Sequence, residues 1–170
     1  SVTATGNYGQ NFGFYGACDD DSVLGCILTV PTLSTTYNSN IFAYSSITGF
    51  SGSNLVIKDN KMYNGYYANW VYLSSYRPGI VIDNNEISNV GYMGFYMYYT
   101  SGIKFTNNKV TASPTASAYY GVYSYYMDYN PEFTGNRVTG FYGYGILVYY
   151  FNGTNSNPQR VKFANNAVIM

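Results

Sequence analysis

The chain has 170 residues, 23 of them Tyr, with only 9% charged residues and a formal net charge of zero. Ordinary globular domains carry about a quarter charged residues. With no His and only two Cys, His-based triads, His general bases and His-ligated metals are excluded, and a structural zinc site lacks ligands. Eight scattered basic residues do not make the basic face that a nucleic-acid partner requires. No apolar run reaches the roughly 20 residues of a membrane-spanning helix.

In chain order, residues 1–35 come first and show no repeat. They begin at Ser1, as a processed product or an excised fragment would. The segment is rich in Gly and aromatics up to Ala17 and apolar from Val23 to Val30, where Pro31 ends the run. It is expected to be an irregular N-terminal cap, or an assembly segment that covers a neighbouring copy. Asp19-Asp20-Asp21 reads as a solvated acidic turn. Calcium is the alternative for three carboxylates, but the spacing is not that of an EF-hand loop. No metal or cofactor is assigned to the chain. Cys18 and Cys26 are expected to close a small disulfide loop in an oxidising compartment, two buried free thiols being the alternative. Low charge with abundant Tyr, Asn, Ser, Thr and Gly points to an extracellular, secreted protein. Asn152-Gly153-Thr154 fits a glycosylation sequon.

From residue 55 one pattern recurs: apolar, any, apolar, two small or polar residues, Asn, any, apolar. The copies are Leu55–Met62, Ile80–Ile87, Ile103–Val110, Pro131–Val138 and Val161–Val168. A weaker sixth is expected at Asn40-Ile41-Phe42. The anchoring residues are Asn60, Asn85, Asn108, Asn136 and Asn166, at spacings of 25, 23, 28 and 30. A constant core with loops of variable length explains such uneven spacing. A second block lies between the anchors: Asn69–Leu73, Gly94–Tyr98, Gly121–Tyr125 and Gly145–Tyr149. Each block alternates with period 2, as a short strand does. The Asn pairs suit left-handed turn geometry. No stretch shows helical periodicity. Short strands, an Asn turn and a coil of at least 23 residues fit a solenoid wound around an apolar centre.

These Asn-x-Ile/Val turns, followed by a Gly-apolar-x-apolar strand, resemble the right-handed parallel β-helix repeat of the pectin-lyase-like superfamily. The resemblance covers residues 55–170, and more weakly 36–54. It implies an all-β right-handed parallel β-helix over residues 36–170, of about five to six coils. It does not imply one activity, because lyases, hydrolases, epimerases, tailspikes and inert adhesins share the architecture. The His-containing motif of polygalacturonases is absent.

In a parallel coil, equivalent residues lie about 4.8 Å apart on successive rungs. Three inward columns are expected: Ile57-Ile82-Phe105-Phe133-Phe163, Met62-Ile87-Val110-Val138-Val168 and Trp70-Phe95-Val122-Ile146. The five anchor Asn are expected to form a side-chain amide ladder inside the turn. Lys61-Glu86-Lys109-Arg137 and Lys104-Glu132-Lys162 form two outward charge columns, and Asp83 falls beside Lys58.

Nineteen of the 23 Tyr lie between Tyr63 and Tyr150. Alternation places Tyr96 and Tyr123 outward with Val71 and Leu147, and Tyr98, Tyr125 and Tyr149 outward with Leu73. Tyr99, Tyr126 and Tyr150 follow at the strand end. These eight Tyr are the candidate binding face. Aromatic ladders stabilise sheets, but Tyr also supplies amphipathic contact area and stacks on sugar rings.

For catalysis, glycoside hydrolysis requires two carboxyl groups on one face. Asp83, Glu86 and Glu132 are taken up by charge pairing, and Asp59 sits at the turn. Asp128 is the one acid without an obvious partner, so no acid–base pair emerges. The sequence stops at Ala167-Val168-Ile169-Met170, the opening strand of an unfinished coil that invites pairing with another chain. The expectation is a non-catalytic structural or adhesive solenoid whose partners are further copies of itself, head-to-tail as a fibre or laterally, or glycans. A carbohydrate-binding or polysaccharide-cleaving domain and the shaft of a phage or cell-surface adhesin are the alternatives.

Overall fold

The computed structural model describes residues 1–5, 9–15, 19–31, 39–44, 53–151 and 160–170, with the side chains of 42–44 and 74–77 excepted. Every described regular element is a strand. The chain opens with β1 (Val2–Thr3) and β2 (Gln10–Tyr15). Five complete coils of three strands follow. They are β3 (Ser22–Leu24), β4 (Ile27–Thr29) and β5 (Ser39–Tyr44); then β6 (Val56–Lys58), β7 (Lys61–Tyr63) and β8 (Tyr67–Arg77). The third coil is β9 (Val81–Asp83), β10 (Glu86–Val90) and β11 (Met93–Ser101). The fourth is β12 (Lys104–Thr106), β13 (Lys109–Ala112) and β14 (Tyr120–Asp128), and the fifth β15 (Glu132–Thr134), β16 (Arg137–Thr139) and β17 (Tyr144–Phe151). β18 (Lys162–Ala164) and β19 (Ala167–Ile169) begin the next.

Equivalent strands pair in parallel along the axis. Sheet 1 runs β1-β4-β7-β10-β13-β16-β19, sheet 2 runs β17-β14-β11-β8-β5-β2, and sheet 3 runs β18-β15-β12-β9-β6-β3. Each coil therefore visits sheet 3, sheet 1 and sheet 2 in turn.

The corner from sheet 3 to sheet 1 has the same short length in every coil. The residue just before each anchor is left-handed: Gly25, Asp59, Asn84, Asn107, Gly135 and Asn165, with φ between 52° and 69°. Gly, Asn and Asp are the residues that adopt this conformation at least cost, which is why the motif reads Asp-Asn, Asn-Asn or Gly-Asn. At Gly135 a side chain would also collide, since a Cβ there falls 2.5 Å from Asn107 Oδ1.

Two of the expected inward columns are in register as read: Ile57-Ile82-Phe105-Phe133-Phe163 and Met62-Ile87-Val110-Val138-Val168. Their members are fully buried except Phe163 and Val168, which lie on the last described rung.

The third column is corrected. Phe95 pairs with Asn69, and Trp70 pairs with Tyr96. The inward column is Asn69-Phe95-Val122-Ile146. Trp70 lies outward, while Val71 and Leu73 are buried. A one-residue slip exchanges the two faces of a strand, and the buried polar Asn69 conceals the true phase.

The repeat also starts earlier than its sequence pattern suggests. Ser22, Val23 and Leu24 pair with Val56, Ile57 and Lys58, and Ile27 and Leu28 with Lys61 and Met62. Ser22-Val23-Leu24-Gly25-Cys26-Ile27-Leu28 is thus a copy of the motif with Cys at the Asn position. The described strands before residue 36 belong to the same three sheets rather than to an irregular segment. Asn40-Ile41-Phe42 lies in β5 of sheet 2, where Ile41 pairs with Asn69. It belongs to the second block rather than being a sixth copy of the first.

Candidate functional site: the tyrosine face

Two ladders run along the solenoid axis, one inside and one outside. The inner one is built from the anchor asparagines. Asn60, Asn85 and Asn108 each donate from Nδ2 to the Oδ1 of the next Asn, at 3.0, 2.9 and 3.2 Å, and Asn136 does so to Asn166 at 2.9 Å. Their backbone N–H groups donate to the same oxygens. Each Nδ2 also donates to a main-chain carbonyl of the preceding coil, Asn108 to Ile82 at 2.9 Å for example. All four hydrogen-bonding positions of the Asn108 amide are thereby filled. At the first rung the Cys26 N–H donates to Asn60 Oδ1 at 2.8 Å. Cys26 continues the ladder with its backbone alone.

The Cys18–Cys26 disulfide is not formed here. Cys26 is a free thiol whose Sγ donates to the Leu24 carbonyl at 3.4 Å. Cys18 and Asn152 lie outside the described residues.

The outer ladder covers β8, β11, β14 and β17 of sheet 2. Tyr72, Tyr98, Tyr125 and Tyr149 stack at ring separations of 4.5, 5.2 and 5.2 Å. Tyr72 occupies the position expected of Leu73. Beside them Trp70, Tyr96 and Tyr123 follow at 4.7 and 5.6 Å. A third column, Tyr99-Tyr126-Tyr150, stacks at 4.8 and 5.2 Å. All eight candidate Tyr therefore lie together on the outside of β11, β14 and β17.

The third column depends on a local backbone device. Tyr99, Tyr126 and Tyr150 are left-handed, with φ of 57°, 54° and 54°. This is uncommon for a bulky residue and costs roughly 1–2 kcal/mol each. It lets two consecutive rings face outward before Thr100 and Met127 turn inward again. The rings of each doublet meet edge to face, at 4.6, 4.5 and 4.5 Å for Tyr98–Tyr99, Tyr125–Tyr126 and Tyr149–Tyr150. In each doublet the hydroxyls also hydrogen-bond.

Burial and the neighbouring phenols push the Tyr98 hydroxyl up to about 12. They also raise Tyr96, Tyr120, Tyr123 and Tyr125. These five phenols are neutral at any ordinary pH. Because the rings lie on one another, their flat sides are used within the ladder. Ring edges and hydroxyls are what remains for a partner.

Three carboxylates outside this face are paired with lysines. Asp83 bridges Lys58 at 3.1 Å and accepts from Thr106 Oγ1 and Asn107 Nδ2. Glu86 bridges Lys109 at 2.6 Å and Glu132 bridges Lys162 at 2.7 Å. In each charge column only these neighbours bridge, although the register of the whole column is as read. Hydrogen bonds and lysine charge outweigh desolvation and hold the three carboxyls below their usual range. Asp19 and Asp20 are structural at the N-terminal corner, accepting from Ser53 N–H and Asn54 Nδ2 at 2.8 Å each. Among the described residues no three His, Cys, Asp or Glu gather as a metal site.

A family model for the right-handed beta helix region matches residues 45–169. The parallel strands wound into three sheets agree with that description. The chain belongs to the right-handed β-helix family. No curated relative and no solved structure matches it.

Proposed function

We propose that this protein is a non-catalytic extracellular β-solenoid that makes structural or adhesive contacts through its tyrosine face. One observation carries the reading: three stacked columns of phenols occupy the outside of sheet 2 across consecutive rungs. Two further points support it. The third column is held by left-handed tyrosines, a conformation that a purely scaffolding sheet does not need. Asp83, Glu86 and Glu132 are engaged in ion pairs, which argues against an acid–base pair of the glycosidase kind.

The chemistry of the face narrows the partner. A sugar ring stacked flat on a phenol requires a free ring face, and within the ladder those faces are covered. Hydroxyls and ring edges repeating once per rung suit a partner with hydrogen-bonding groups at a matching repeat. An extended polysaccharide, or the same face of another copy of this solenoid, is such a partner. Lateral contact is therefore favoured over head-to-tail assembly.

The test combines a panel of immobilised polysaccharides with light scattering over a range of protein concentrations. Retention on one glycan class, or a mass that grows with concentration, is expected, and Tyr98→Ala and Tyr125→Ala are expected to weaken either. A strict monomer that binds no glycan would overturn the proposal.

A further inference from the structure

The corner where the chain leaves sheet 2 for sheet 3 holds a group that the tyrosine face does not use. β11 ends at Ser101 and β14 at Asp128, and these two residues are register partners. Both are buried, Asp128 to 5% exposure. The Ser101 side chain hydrogen-bonds to the carboxyl, while Asp128 Oδ1 has no partner among the described residues. Asp128, Ser101, Pro78, Gly79, Gly102 and Tyr129 line a cleft of about 720 Å³. Tyr129 stands exposed at its rim. Asp128 lies at the end of its strand.

Asp128 differs in kind from the other acids. Asp83, Glu86 and Glu132 each have a lysine. Among the described residues no Lys or Arg side chain bridges Asp128, and burial pushes its carboxyl up. A buried carboxylate with an unused oxygen destabilises the fold, and an Asn or Ser at this position would spare that cost. Costs of this kind are retained where a site requires them. A positive charge is the most direct compensation for a buried carboxylate. The adjoining phenol ring offers a cation a second favourable contact.

We propose that this cleft binds a small organic cation, the ammonium or guanidinium end of a ligand or of a partner's side chain. Asp128 is its counter-ion, and Tyr129 and Pro78 flank its carbon chain. The site is independent of the tyrosine face, so either reading stands if the other fails.

The experiment is a two-dimensional amide NMR titration of the full chain with propylammonium chloride. Sodium chloride at equal ionic strength and a neutral methyl glucoside are the controls. Saturable shifts are expected at the Ser101, Gly102 and Tyr129 amides with propylammonium alone. In Asp128→Asn the apparent affinity is expected to fall at least tenfold, while amides of β12 and β13 keep their positions and show an intact fold. A thermal melt gives a second reading: propylammonium raises the midpoint of the parent and not of Asp128→Asn. Shifts that persist in Asp128→Asn, or that follow the neutral sugar instead, would overturn the proposal.

Discussion

The asparagine corner and the tyrosine face are built by the same repetition and have opposite consequences. At the corner, the amides of Asn85, Asn108 and Asn136 fill their hydrogen-bonding positions with the coil below and the coil above, so nothing remains on them for a partner. On sheet 2, the tyrosines satisfy one another through stacking and hydroxyl pairs, yet leave a row of edges and hydroxyls outside. A ladder turned inward is complete as scaffold. A ladder turned outward stabilises the sheet and also presents a surface, with the third column held in strained backbone. The two can be separated by substitution.

The largest effect is expected at the corner. Asn108→Ala removes an amide that donates to Ile82 and Asn136 and accepts twice from Asn85, all buried. Leaving several of these groups unsatisfied costs about 3–5 kcal/mol, measurable by urea unfolding. Unchanged unfolding would show that the ladder is not what holds the corner.

Next is Gly121→Ala. Its Cβ would fall 2.3 Å from Val138 Cγ1 and 2.5 Å from the Gly145 carbonyl oxygen, where sheet 2 meets the valine column of sheet 1. Overpacking of this kind costs about 1–3 kcal/mol. On the outer face, Tyr126→Ala keeps the strained backbone position and loses stacking on Tyr99 and Tyr150. The expected loss is about 1–2 kcal/mol, smaller than at either inner position. Glu86→Gln should be smallest, below about 1 kcal/mol, because the Lys109 pair is open to solvent on both sides and such pairs are screened.

Alkaline pH probes the outer ladder. Tyr96, Tyr98, Tyr123, Tyr125 and Tyr149 are raised in the folded state, Tyr98 to about 12, above the unfolded value near 10. The folded protein therefore holds phenol protons that the unfolded chain releases. The resulting stability is fully present below about pH 10 and is lost as pH rises toward 12. A melting temperature flat to pH 9 and falling steeply above 10 is expected, and replacing Tyr98 and Tyr125 with Phe should blunt the fall.

The corner was legible in the sequence because its constraint is local. A left-handed residue before a buried Asn leaves a fixed pair of letters, and that pair set the register of two inward columns. Cys26 escaped because its backbone N–H, not its side chain, makes the ladder bond. The face was legible in outline but not in phase. Asn69, polar and fully buried, stands where other rungs carry Phe95, Val122 and Ile146. Trp70 therefore looked like the inward residue. The left-handed tyrosines left no trace, since a Tyr-Tyr pair does not announce positive φ. Asp128 was singled out as unpaired, but its burial depends on the turn folding over it and is not written in its neighbours.

Whether the tyrosine face is a contact surface rather than scaffold is decided most directly by a variant that keeps the rings and removes the hydroxyls. Tyr98, Tyr99, Tyr125 and Tyr126 are replaced together by Phe, and melting is measured beside polysaccharide retention and light-scattering mass. Removing both members of each hydroxyl pair is expected to leave melting within a few degrees of the parent, while glycan retention or self-association is lost. A variant that still binds or associates as the parent does would contradict the assignment of the phenol surface as the contact face.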